Sequence, residues 1–214
     1  VNTVRIAVAA AVSLSLLTIS ACGSSSKTSS PVVSSAPNVA PTVGTSGSGL
    51  SRTGVPEANP AGDIPDNQAF VAYRDASAGY TVSVPEGWSQ RAEAGAVVFS
   101  DKYNVVRIQT RGASSAPTVG SVTSNDLPAL ATAPGYSAGP VSLVDRKAGQ
   151  AVLATYKANS ATNPVTGKYA VEAVERYLFY RAGREVILTL AAPVGSDNVD
   201  PWRKVTDSFA WVSP

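Results

Sequence analysis

The sequence predicts an α+β fold over residues 69–214, an antiparallel β-sheet flanked by helices. Three observations carry that expectation. Apolar residues alternate with polar ones over short runs, as in Tyr80-Thr81-Val82-Ser83-Val84. Tight turn signals separate the runs, among them Pro85-Glu86-Gly87 and Arg181-Ala182-Gly183. Helical spacing of apolar residues is confined to Thr118–Ala131 and the segment opened by Asp200-Pro201-Trp202. Strands joined by short turns pair antiparallel, and the sheet's apolar face needs a helix to cover it.

The elements follow in order. Phe70 to Arg74 alternates and reads as a first strand, and Tyr80 to Val84 as a second, with residues 80, 82 and 84 facing inward. After the turn at Pro85-Glu86-Gly87 comes Trp88. Ala96–Ser100 and Val105–Arg111 form a hairpin around Asp101-Lys102-Tyr103-Asn104, with Val106 and Ile108 inward and Arg107, Gln109 and Arg111 outward. Thr118–Ala131 carries Val119, Val122, Leu127 and Leu130 near helical spacing, and Pro128 shortens or kinks that helix. Pro140–Arg146 and Gln150–Lys157 flank Lys147-Ala148-Gly149. Ala158–Gly167 is polar and loop-like. Lys168–Tyr180 and Arg184–Ala192 make the longest hairpin: Tyr177 and Phe179 share one face, Val174, Leu178 and Tyr180 the other. Asp200 is placed as N-cap and Pro201 in the first turn of a closing helix, whose stripe is Trp202, Val205 and Phe209.

The segment before this domain has a different character. Val1–Arg5 holds one basic residue, and Ile6–Ile19 is apolar apart from hydroxyl side chains. The run is shorter than the roughly 20 residues that span a bilayer, so residues 1–21 read as an export signal. Val1 reads as a GTG start, and the Arg, Ala, Gly, Val and Pro usage fits a bacterial genome rich in G and C. Residues 22–68 are rich in Ser, Pro and Gly, with little apolar surface to offset ordering entropy, and read as a flexible tether. Its mean span is roughly 35–40 Å.

Composition removes several function classes. The net charge is +2, too small for a polybasic nucleic-acid binder, so no nucleic acid is expected. There is no His and a single Cys. That excludes Ser-His-Asp and Cys-His catalysis, His-ligated zinc, thiolate clusters and an internal disulfide. No Gly-x-Ser-x-Gly, dinucleotide loop, P-loop or calcium loop is present, so no cofactor and no metal are expected. Ser24-Ser25-Ser26-Lys27 matches Ser-x-x-Lys but lies in the tether.

Ile19-Ser20-Ala21-Cys22 resembles a bacterial lipobox. The resemblance implies cleavage between Ala21 and Cys22 and a diacylglycerol on the Cys22 sulfur. Two acyl chains suffice for stable anchoring, at about 0.8 kcal/mol per buried methylene. The expected location is the outer face of the bacterial cell membrane.

The domain in turn resembles the actinobacterial LpqN/LpqT-type lipoproteins, which share the Mog1/PsbP fold. The residues that carry this are Tyr80–Trp88, a strand ending in Pro-x-Gly-Trp, and Leu127-Pro128-Ala129-Leu130 leading to Pro134-Gly135-Tyr136. The Lys168–Ala192 hairpin and the Trp202 helix complete it. The resemblance covers nearly all of Ala69–Pro214 and implies a Mog1/PsbP-like sandwich. It implies no reaction.

Several side chains are candidates for binding. Arg107 and Arg111, with Arg91, form a basic strip or a solvated outer face. Trp88 lines a ligand cleft or anchors a strand end. Tyr156, Tyr169 and Arg181 are candidate contacts for a protein partner, together with the loop Ala158–Gly167. Glu172 and Glu175 fall on opposite faces of their strand, which argues against a carboxylate pair. The expected function is a non-catalytic binding or accessory module for an envelope protein complex. The alternative is a carrier of an apolar molecule or lipid, with a cleft lined by Trp88, Tyr177 and Phe179. An envelope hydrolase is the third reading and would need a convergent cluster of acids, Lys or Tyr.

Overall fold

The computed structural model describes residues 62–162 and 167–212. The expected signal sequence, Cys22 and most of the expected tether lie outside the described residues. Ten strands are seen among them, and every strand pair is antiparallel. β1 (Phe70–Asp75), β2 (Tyr80–Pro85) and β10 (Ala210–Trp211) form a small sheet in the order β1-β2-β10. β3 (Ser89–Glu93), β4 (Ala96–Asp101), β5 (Asn104–Gly112), β6 (Ser137–Arg146), β7 (Gly149–Asn159), β8 (Val171–Arg181) and β9 (Arg184–Pro193) form a larger one. Its order is β3-β4-β5-β9-β8-β7-β6. This is the α+β class that the alternating runs predict.

The larger sheet has two faces with different covers. On the inner face Phe99, Val106, Ile108, Tyr177, Phe179, Val186, Leu188 and Leu190 join one buried cluster. Tyr80, Val82 and Val84 of β2 meet them there, with Trp202 and Val205 from the C-terminal helix and Phe209 just past its end. Phe209 is the hub. Its ring stacks on Phe179 at 4.4 Å and on Tyr80 at 5.9 Å, and Trp211 meets it edge-on at 5.2 Å. Each such ring brings roughly 1.5–3 kcal/mol from burial alone.

The outer face is covered by the crossover from mid-sheet β5 to edge strand β6. That crossover is helical: α1 (Val119–Ser121), a π turn (Val122–Asp126) and α2 (Leu127–Leu130). A capping box opens it. The Thr118 hydroxyl accepts the Ser121 N–H at 3.0 Å, and the Ser121 hydroxyl oxygen accepts the Thr118 N–H at 2.8 Å. Pro128 has no N–H, and its ring would crowd the carbonyl four residues back. The widened turn just before it relieves that conflict, so the helix is re-spaced rather than ended. Val122 is fully buried against Val152, Ala154, Leu178 and Ile187, with Leu127 beside it. Val119 is exposed and Leu130 half-buried, so only part of the expected stripe packs.

α3 (Val199–Ser208) starts one residue before the expected cap. Asn198 holds the N-cap position; Asp200 and Pro201 are inside the first turn. The Asn198 side chain makes no cap bond within the helix. It is committed elsewhere: its Oδ1 accepts the Ile64 N–H at 2.8 Å, and its Nδ2 donates to the Gly62 carbonyl at 2.9 Å. At the other end the Ser208 hydroxyl oxygen accepts the Ser83 N–H at 2.7 Å, fixing the helix to β2.

Those bonds correct the expected tether, which ran to Gln68. Residues 62–68 are part of the domain. Ile64 is buried in the main core, and Asp63 Oδ1 accepts the Asp197 N–H at 2.9 Å. Gly62 sits at φ +100°, where a Cβ would run into Ser196 and Pro193. Proline and asparagine mark this stretch as a loop in the sequence, but one apolar residue and backbone bonds are enough to hold it.

Sequence also leaves β3 and β10 unassigned. β3 is exposed throughout and β10 has two residues, so neither carries an alternating apolar signal. β8 begins at Val171 rather than Lys168, and β7 runs on to Asn159, with Ala158 buried.

Candidate functional site

The outer-face arginines do not form a free basic strip. Arg107 and Arg91 share Glu93, each at 3.2 Å. Burial would raise the Glu93 pKa, but hydrogen bonds from Arg107 and Arg91 outweigh it and hold the carboxyl below its ordinary value. Arg111 bridges Asp126 at 2.9 Å and Glu185 at 2.8 Å, tying the helical crossover to β9. Of the two readings, a basic strip or a solvated outer face, the free strip does not hold: these side chains are cross-strand clasps. Sequence could not show this, because their acids come from β3, β9 and the crossover.

Arg176, which sequence reasoning passed over, lies on the same face at 7% exposure. Its Nη1 donates to Thr189 Oγ1 at 3.0 Å, Asp126 stands 4.0 Å from its Nη2, and Nε has no partner. Burial pulls its guanidinium pKa down. Glu172 sits four residues earlier on that face and is also buried. Among the described residues its carboxyl group has neither hydrogen bond nor ion pair, and burial pushes it up to about 7. Tyr156 is half-buried, its ring 5.6 Å from that of Tyr136. It is thus part of the outer-face packing rather than an exposed anchor.

Glu172 and Glu175 do lie on opposite faces. The Tyr177 hydroxyl donates to Glu175 Oε2 at 2.7 Å and accepts from Arg146 Nη2 at 3.0 Å. The Arg146 guanidinium also lies over the Tyr177 ring, 4.9 Å from its centroid. Burial, and then Glu175, push the Tyr177 phenol up to about 12. This relay joins β6 and β8 to α3 through the bond from Arg146 Nε to Thr206 Oγ1.

The cleft expected for an apolar cargo is filled. Tyr177 and Phe179 are buried in the main core. Trp88 is half-buried and meets Trp202 edge-on at 6.5 Å, which is the anchoring role. Tyr169 is 56% exposed, beside the undescribed stretch 163–166 of the candidate loop.

Arg181 is brought to a different setting. It closes β8, directly opposite Arg184 of β9. A groove of about 280 Å³ opens there, lined by Ala78, Gly79, Arg181, Ala182, Arg184, Trp211 and Val212. Arg184 Nη1 donates to the Ser77 carbonyl at 3.2 Å, and Asp75 is near enough to feel its charge. Sequence reasoning did not place Arg184 and Trp211 together here, because only the fold brings the C-terminal strand to the hairpin tip. A larger groove of about 650 Å³ runs along α3, but its charges are mixed: Lys147, Arg203 and Lys204 against Asp66, Asp200 and Asp207.

Among the described residues no group of three or more Cys, Asp or Glu is placed to hold a metal ion. No described helix is long and apolar enough to cross a membrane.

No family model matches the chain, and no curated protein matches it. Solved structures do. The Ran-binding protein Mog1p of Saccharomyces cerevisiae aligns at 10% identity and a TM-score of 0.45, over 68% of this chain and 97% of its own. The cyanobacterial PsbP of Synechocystis aligns at 17% identity and 0.48, over 71% and 99%. LpqN of Mycobacterium tuberculosis, described as involved in cell envelope biogenesis, aligns at 13% identity and 0.43, over 72% and 99%. The chain is similar to these three proteins in the arrangement of its strands and helices, and the similarity reaches no further than that arrangement.

Proposed function

We propose that this chain is an exported, membrane-anchored, non-catalytic binding module that acts on a protein of the cell envelope. A lipid on Cys22 holds it to the membrane. The anchor rests on the lipobox-like Ile19-Ser20-Ala21-Cys22. The binding role rests on one spatial observation: the chain joins the domain at one end of the large sheet and leaves the other end open. Gly62 abuts Pro193, the last residue of β9, while the groove lies at Arg184, its first. At about 3.3 Å per residue, β9 separates the two by about 30 Å. Glu175, Tyr177 and Arg146 are bonded to one another in a relay that ties elements together.

The test is fractionation and cross-linking of the full chain in living cells, beside Cys22→Ser. The expected result is an acyl-labelled chain in the membrane fraction with one discrete cross-linked protein, both lost in Cys22→Ser. A chain that stays in the medium, carries no acyl label and forms no adduct would refute the reading.

A further inference from the structure

We infer that the groove between the β8–β9 tip and β10 receives a carboxylate from an acidic segment of the protein partner, with an apolar neighbour packed on Trp211. The inference rests on the binding-module reading and names the chemistry of its contact. Arg181 and Arg184 are the last pair of their hairpin, directly opposite in register, so their Cβ atoms stand about 5 Å apart on the same face. Like charges in that relation repel. The turn holds them together at a conformational cost, because Ala182, a residue with a Cβ, sits at φ +48° ahead of Gly183 at +79°. The tip is also braced, since the Ala113 N–H donates to the Gly183 carbonyl at 2.9 Å.

The charge between the two is only half answered. Arg184 has the Ser77 carbonyl and the nearby Asp75. Arg181 is exposed, and its side chain makes no hydrogen bond or ion pair with the described residues. Gly79 lets the Arg184 guanidinium lie against the backbone, since a Cβ there would stand 3.3 Å from its Nη1. The half-buried Trp211 supplies the apolar flank. A volume of about 280 Å³ suits one or two side chains. An anion between two arginines turns the repulsion into two charge-assisted contacts. An apolar flank at Trp211 beside the two arginines suits a protein segment carrying a carboxylate next to an apolar side chain.

The experiment uses the purified full chain carrying Cys22→Ser and a fluorescein-labelled hexapeptide of alternating Glu and Leu. Anisotropy is read for this chain and with Arg181→Ala or Arg203→Ala added. The expected result is binding that weakens about tenfold in Arg181→Ala, the loss of one charged contact, and changes less than about twofold in Arg203→Ala on α3. Arg181→Ala removes no internal bond, so a folding failure does not confuse the reading. Equal peptide binding with and without Arg181 overturns the inference. So does Arg181-dependent capture of phosphatidylglycerol vesicles with no peptide binding. In-cell cross-linking separates the two levels: an adduct that survives Arg181→Ala keeps the binding module and discards this groove.

Discussion

Asn198 clasps Ile64. Its Oδ1 accepts the Ile64 N–H at 2.8 Å while its Nδ2 donates to the carbonyl of Gly62 at 2.9 Å and to Asn104 Oδ1 at 3.3 Å. One buried side chain thus joins the incoming chain, the β4–β5 hairpin and the start of α3. Removing it leaves the Ile64 N–H without an acceptor in the interior. Asn198→Ala is expected to destabilise the chain by about 2–3 kcal/mol, the desolvation penalty of the orphaned groups. Urea unfolding measures this, and a loss under about 0.5 kcal/mol would show the clasp to be incidental.

The same relationship sets the domain's N-terminal limit. A chain beginning at Ala69 lacks Ile64 and is expected to lose about 2–5 kcal/mol relative to one beginning at Leu50, as for a large core deletion. Thermal unfolding of the two is the comparison. Equal midpoints would return residues 62–68 to the tether.

Glu172 sets a pH dependence. Burial raises its carboxyl to about 7 in the folded chain, above its ordinary value of about 4.3 in the unfolded one. The folded state therefore holds the proton more tightly. Stability falls as pH rises from about 4.5 to 7 and is level above that. Glu172→Gln removes that fall and stabilises the chain at pH 8 by about 1 kcal/mol, less than the full linkage because solvent still reaches the carboxyl. Tyr156 is the titratable neighbour on that face, and burial keeps it protonated throughout this range. Denaturation at pH 5 and pH 8 is the measurement, and equal effects of the substitution at both would contradict it.

Ala182 holds a left-handed conformation, φ +48°, at the first position of a two-residue hairpin turn. Asn or Gly adopts it more readily. Ala182→Gly is expected to stabilise the chain by about 0.5–1 kcal/mol without changing the register of Arg181 on Arg184. Unfolding midpoints decide it, and destabilisation would mean that the turn is not strained.

Much of the fold was legible because its signals are local. The alternation of Tyr80, Val82 and Val84, the Arg181–Gly183 turn and the Trp202-Val205-Phe209 stripe each sit within ten residues. β3 was hidden because a solvated edge strand carries no apolar alternation. The cap of α3 was misplaced because Asp200 is the better local cap, whereas Asn198 is selected by distant Gly62 and Ile64. The candidate site was less legible. Arg181 was visible as an exposed cation, but its neighbours Arg184, Gly79 and Trp211 meet only when β10 closes on β2. The basic strip failed in sequence for the same reason, since Glu93, Asp126 and Glu185 reach Arg107 and Arg111 from separate elements.

The most direct measurement is site-specific photo-cross-linking in living cells. A photoreactive residue is placed at Ala182 beside the groove, and separately at Val194 beside Gly62. The expected result is one discrete protein adduct from position 182, lost on adding Arg181→Ala, and none of that size from position 194. Adducts of equal yield from both positions, or from position 182 regardless of Arg181, would contradict a binding module that meets its partner through the free end of the sheet.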